Sequence, residues 1–135
     1  MARWCALVAA AVVILTADAS AFAQTALYAC SGDTATAERV GVTLCNAGPT
    51  DALTSRVEDD NLQLRDGALI VELDESGVSA SAGLHPGDVI YRVGGVDVAN
   101  AGLAIDRLNA IGSTSDTVVN FLRGGRPYRV KLRRE

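Results

Sequence analysis

The stretch that decides the fold of this chain is residues 82–98, AGLHPGDVIYRVGGVDV. The Pro-Gly-Asp run at 86–88 predicts a turn: the proline fixes φ, the glycine supplies conformational freedom, and the carboxylate can accept backbone N–H bonds. The mostly apolar residues 89–93 then have the composition of a β-strand. Two glycines follow and predict a tight hairpin connection to a short strand at 96–98.

The same stretch resembles the most recognisable part of a PDZ domain. In that family an Ala-Gly-Leu run leads through a Gly-Asp turn into a strand and a glycine-containing hairpin, as Ala82-Gly83-Leu84, Gly87-Asp88 and Val93-Gly94-Gly95 do here. The resemblance extends over most of the chain after residue 37. It implies an α+β fold, a small and partly open β-barrel or sandwich of five to six strands with two helices.

Composition and charge limit the classes of function. The chain has 135 residues, and 49% of them are hydrophobic, which suits one small globular domain. Its net charge of −4 argues against a nucleic-acid partner, because affinity for phosphate backbones comes mainly from Lys and Arg.

The first residues have the pattern of a secretory signal peptide. Arg3 is followed by the apolar run 6–15 and by Ala21-Phe22-Ala23, the small residues that a signal peptidase requires. An uncleaved anchor is disfavoured because spanning a bilayer needs roughly 20 apolar residues. We therefore expect cleavage after Ala23, no membrane insertion afterwards, and a periplasmic or secreted protein. The predicted organisation is a signal peptide at 1–23, an extension at 24–36 and a PDZ-like domain at 37–135.

Two cysteines follow the predicted cleavage site. Cys30 and Cys45 are an even pair in a chain directed to an oxidising compartment, so we predict a disulfide between them. Closing this loop would stabilise the domain by roughly 3 kcal/mol. Lipoprotein processing at Cys30 is disfavoured, because Tyr28 fits that site poorly and the apolar core ends too early. The cysteines and the single histidine show no metal-ligand spacing, and nothing in the sequence indicates a cofactor.

The resemblance implies a binding site near the start of the domain. Bacterial PDZ domains, like those attached to HtrA-type periplasmic proteases, have an apolar-Gly-apolar loop whose amides bind a peptide's C-terminal carboxylate, and Val40-Gly41-Val42 lies where that loop belongs. Thr43 and Leu44 would then offer a free strand edge to an extended peptide. A side chain at Gly41 should weaken peptide binding and leave the fold intact.

A helix is predicted on the other side of this groove. Asn100 is a good N-cap for a helix from Ala101 to about Ile111. In the PDZ resemblance this helix lines the groove, and Ala101, Ala104 and Ile105 would border an open pocket for the ligand's last side chain.

Weaker patterns complete the secondary structure. Short helices are predicted at 51–56 and 80–84, a buried strand at 67–73, and two final strands at 117–123 and 128–133. Alternation in the last strand predicts that Tyr128, Val130 and Leu132 point inward.

No catalytic constellation accompanies these elements. The only histidine, His85, is expected to be an exposed turn residue, and no nucleophile elbow, phosphate loop or zinc signature is present, so we expect a protein that is not an enzyme.

Two functions compete. The first is a freestanding envelope module that binds C-terminal or extended segments of partner proteins by β-strand addition. The alternative is a structural or adaptor protein whose own N-terminal extension blocks the groove and whose other surfaces dock to an envelope protease or secretion complex.

Overall fold

The computed structural model describes residues 26–112 and 116–133. The predicted signal peptide and its cleavage site lie outside the described residues. Within them the chain forms seven strands and three helices: β1 Tyr28–Ala37, β2 Val42–Pro49, α1 Asp51–Arg56, β3 Ala68–Leu73, α2 Val78–Ser81, β4 Val89–Val93, β5 Val96–Asp97, α3 Ala101–Asn109, β6 Thr117–Arg123 and β7 Arg126–Leu132. The predicted α+β class is confirmed, with one strand more than expected and with helices at all three places where the sequence predicts them.

The strands form one antiparallel sheet in the order β1-β2-β3-β4-β6-β7, and β5 pairs with β4 as a short hairpin. The unexpected strand is β1, in the segment predicted to be an extension. It pairs with β2 from Tyr28↔Pro49 to Ala37↔Val42, with a break in register between Ser31 and Ala35. Most residues of β1 are small or polar, so the sequence has no alternation of apolar residues that would predict a strand here.

Both faces of the sheet are covered. One cluster of buried residues lies under α3 and includes Leu44, Ile70 and Leu108. A second cluster lies on the other face and is closed by Leu53 of α1 and by Leu62. The segment 50–66, which contains five acidic residues, therefore supplies part of a second core.

The deciding stretch is tied to the far end of the chain. Asp88 accepts a hydrogen bond from the His85 backbone N–H at 2.8 Å, which confirms the predicted turn. Its buried carboxylate also accepts two hydrogen bonds from the Arg123 guanidinium, Nε to Oδ1 at 2.9 Å and Nη2 to Oδ2 at 2.7 Å. The hydrogen bond to this carboxylate raises the pKa of Arg123. This bidentate pair fixes β6 against the turn that precedes β4.

Helix positions differ slightly from the prediction. The Asn100 side chain caps α3 by accepting from the Leu103 N–H at 2.9 Å, as expected, but the helix ends at Asn109 with Ala110 as its C-cap. α2 begins at Val78, earlier than the predicted residue 80.

The inward position predicted for Tyr128 is wrong. Its side chain is 51% exposed and stacks on Phe121 with ring centroids 6.0 Å apart, whereas Leu132 of the same strand is buried. β7 is an edge strand of the sheet, and its first four residues, 126–129, are all exposed.

Candidate binding groove

The predicted carboxylate loop lies at the tip of the β1–β2 hairpin. Val40 and Val42 are buried, and Gly41 has φ +69° between them. A Cβ at Gly41 would lie 3.0 Å from the Asp74 Cβ and 3.3 Å from the Gly77 Cα. The expectation that a side chain here leaves the fold intact is therefore wrong, because both the backbone conformation and the close approach require glycine.

The loop amides already have an acceptor. The Gly41 N–H donates to the carbonyl oxygen of Ala37 at 3.0 Å, and the Val40 N–H donates to the same oxygen at 3.3 Å. These are the amides expected to bind a ligand's carboxylate. A carbonyl of the chain itself therefore lies where the ligand's terminal oxygen was expected.

The strand edge expected to be free is paired. Leu44 of β2 is opposite Ile70 of β3 on one side and opposite Ala35 of β1 on the other. Thr43 is opposite Thr36, and their hydroxyls are 3.0 Å apart. The expectation of a free edge at Thr43 and Leu44 is wrong, because β1 pairs along it.

α3 lies beside β2 and the loop between β1 and β2. At its start the Ala101 N–H donates to Asn46 Oδ1 of β2 at 2.8 Å, and at its end the Asn109 carbonyl accepts from Arg39 Nη1 at 3.3 Å. The helix thus runs along β2 from the middle of that strand to the hairpin loop. The structure therefore brings together the loop, β2 and α3, the elements that the PDZ resemblance assigns to the groove.

The predicted pocket on α3 is covered in this structure. Ala101 and Ala104 are buried, and Ile105 packs against the same cluster, which also contains Ala37 of β1. The sequence pattern did not single out Ala37. The signal that could have identified it is the glycine four residues later, at a spacing typical of a short hairpin loop.

The predicted disulfide is present. Cys30 of β1 and Cys45 of β2 are joined, with their Cα atoms 5.5 Å apart. The Cys30 residue is exposed and Cys45 is fully buried. The bond ties the first half of β1 to β2.

A negative charge lies next to the loop. The Ser76 hydroxyl and backbone N–H both donate to Asp74 Oδ1, at 2.8 and 3.0 Å. These hydrogen bonds, with that of the hydroxyl first, lower the pKa of Asp74. Asp74 is the residue whose Cβ approaches Gly41, and its backbone N–H donates to the Gly41 carbonyl at 2.9 Å.

Between residues 26 and 133, apart from the undescribed 113–115, no three His, Cys, Asp or Glu side chains come together as metal ligands. None of the helices in the described part of the chain is long and apolar enough to cross a membrane. His85 is exposed in its turn, as predicted.

Comparison with protein-family models and with curated proteins finds no match. Solved structures do match. The HtrA3 PDZ domain bound to a phage-derived ligand, FGRWV, has a TM-score of 0.56 at 16% sequence identity, covering 71% of this chain and 84% of that one. The chain has the PDZ fold. The HtrA-type protease AlgW with a decapeptide is also similar, with a TM-score of 0.54 at 20% identity, covering 70% of this chain and 27% of AlgW.

The chain spans about a quarter of the length of AlgW. In this PDZ-like chain, however, β1 lies along β2 within the groove.

Proposed function

We propose that this protein is a binding module of the cell envelope that takes an extended segment of a partner protein into the groove between β2 and α3. The observation that carries the proposal is β1 itself, an extended strand paired with β2 beside α3. The PDZ fold supports it, since one similar structure contains a phage-derived ligand and the other a decapeptide.

In the proposed complex the partner replaces β1 along β2. Backbone hydrogen bonds to Thr43 and its neighbours supply affinity that is independent of side chains. The amides of Val40 and Gly41 receive the partner's terminal carboxylate, and its last side chain contacts Ala104 and Ile105. We assign the chain no catalytic role.

The test uses a library of heptapeptides with free C-termini and the full mature chain under reducing conditions, so that β1 is held without the disulfide. Ile105→Ala should weaken binding of the selected peptides about ten-fold, because it removes apolar contact at the groove wall. Leu103→Ala is the matched control, since Leu103 is exposed on the same helix, and it should retain the parent affinity. Equal binding by parent and Ile105→Ala would show that this groove is not the binding site.

A second candidate is an adaptor whose groove stays blocked by β1 and whose other surfaces dock to an envelope protease or secretion complex. The disulfide favours it, because it fixes β1 to β2 covalently. Absence of peptide binding to both oxidised and reduced protein, together with co-purification of such a complex, would favour this adaptor role.

The envelope location is part of the proposal. It is supported by the signal-like pattern before Gln24 and by the disulfide, which is typical of oxidising compartments. Mass spectrometry of the protein from envelope extract should find a chain beginning at Gln24, and a chain retaining Met1 in the cytoplasm would contradict it.

A further inference from the structure

The direction of β1 is that of a bound peptide. β1 is antiparallel to β2 and runs toward the loop, so its last residue, Ala37, lies opposite Val42 at the end of the groove. In the proposed complex a partner's C-terminus arrives at the same place. β1 therefore has the polarity and the position of a ligand.

The end of β1 also has the contacts of a ligand's last residue. The Ala37 carbonyl oxygen accepts hydrogen bonds from the Val40 and Gly41 amides. Its methyl group is fully buried in the cluster that contains Ala104 and Leu108. The Ala37 methyl group fills the space at this position. A larger side chain in its place would have to displace close-packed neighbours.

The middle of β1 is held weakly. All residues from Ala29 to Thr36 are exposed, and the pairing with β2 is interrupted between Ser31 and Ala35. Burial is confined to the two ends, at Tyr28 and Ala37. Once the Cys30–Cys45 bond is reduced, a peptide strand that ends in a similar small residue can replace the middle and end of β1. The domain then loses little buried apolar surface, because the middle of β1 is exposed.

We propose that β1 is an internal ligand, and that the groove takes extended partner segments with a free C-terminus whose last residue is alanine or is no larger. This inference rests on the proposed function and names its ligand class. Reduction of Cys30–Cys45 by a dithiol, which is itself oxidised to a disulfide as the two cysteines become thiols, makes the groove available to the partner.

The experiment opens the groove by expelling the end of β1. Ala37→Lys places a long charged side chain where only a methyl group fits, and Ala35→Lys is the matched control because Ala35 is exposed two residues earlier on the same strand. Two labelled heptapeptides are compared by fluorescence polarisation under reducing conditions: residues 31–37 with a free carboxylate, and the same peptide ending in phenylalanine.

The opened variant should bind the alanine-ending peptide about ten-fold more tightly than the phenylalanine-ending one, and about ten-fold more tightly than the Ala35→Lys control does. Equal or tighter binding of the phenylalanine-ending peptide would overturn the inference and leave the proposed function standing. If neither these peptides nor the library binds to folded, opened protein, both proposals are wrong.

If Ala37→Lys does not fold, a second variant, Ala37→Gly, still tests the proposal. Ala37→Gly removes only the methyl group and keeps the hairpin turn. It should strengthen binding of the alanine-ending peptide relative to the parent, with the same preference over phenylalanine. Unchanged affinity in this variant would contradict the assignment of Ala37 as the residue that occupies the groove.

Discussion

At the scale of single residues, Tyr28 shows how the start of β1 is anchored. Its hydroxyl donates to the Gln63 carbonyl at 3.3 Å and accepts from the Arg65 N–H at 3.2 Å. Burial raises the pKa of this phenol above its ordinary value of 10.0, and the nearby Asp66 charge adds to the effect. The neutral hydroxyl is therefore the form that the folded chain prefers.

Alkaline pH should test this anchor. Because the folded pKa of Tyr28 is raised, its contribution to stability is complete below pH 10.0 and is lost as pH rises through the folded pKa. Urea unfolding at increasing alkaline pH should show a steeper loss of stability in the parent than in Tyr28→Phe. Tyr128→Phe, which removes an exposed hydroxyl, is the matched control. Parallel pH profiles of parent and Tyr28→Phe would contradict the assignment.

At the scale of secondary-structure elements, β1 decides the state of the groove, because it pairs with the edge of β2 that would otherwise be free. Its two ends are buried, its middle is exposed, and one covalent bond ties it to β2. The short loop from Glu38 to Gly41 connects β1 to β2, and Gly41 has a left-handed backbone conformation. β1 is thus a strand whose place depends more on its ends and its crosslink than on its own apolar surface.

Removal of the crosslink should be costly but not fatal to the fold. Replacing both Cys30 and Cys45 by serine should lower the free energy of unfolding by roughly 3 kcal/mol, because the unfolded chain regains the entropy of the closed loop. Urea denaturation without reductant measures the change, and the parent in reductant is the control, expected at the same reduced stability. A double variant as stable as the oxidised parent would show that the bond does not constrain the chain.

At the scale of the whole molecule, the sheet is packed on both faces. α3 covers one face, while Leu53 and Leu62, from the acidic segment 50–66, close the other. Asp88 and Arg123 join the turn before β4 to β6 through their paired hydrogen bonds. The domain therefore depends on two small cores rather than one.

The second core, which contains Leu53 and Leu62, should contribute substantially to the free energy of unfolding. Leu53→Ala should reduce the free energy of unfolding by about 2–5 kcal/mol, because it leaves a cavity under α1. Leu64→Ala is the control, since Leu64 is 51% exposed a short way along the same segment, and its change should stay within about 0.5 kcal/mol. Similar small changes for the two variants would mean that this face contributes little.

Local chemistry accounts for what could be predicted of the site. Turn residues identified the hairpin after Asp88, Asn100 identified the start of α3, and the even cysteine pair identified the disulfide, because each depends on a few neighbouring residues or on a count. The roles of Ala37 and Asn46 could not be predicted, because no pattern in the neighbouring residues indicates them. Each acquires its role only when a distant segment is placed beside it.

The sequence by itself determined the PDZ-like order of turns, strands and helices, since backbone preferences of glycine, proline and capping residues act over short distances. Only the tertiary structure decided that β1 fills the groove beside β2. Small polar residues such as those from Ser31 to Thr36 have no strong strand preference of their own, so their conformation is set by the partner strand, the Cys30–Cys45 bond and the buried ends. The state of the groove is therefore a property of long-range pairing, which no local pattern encodes.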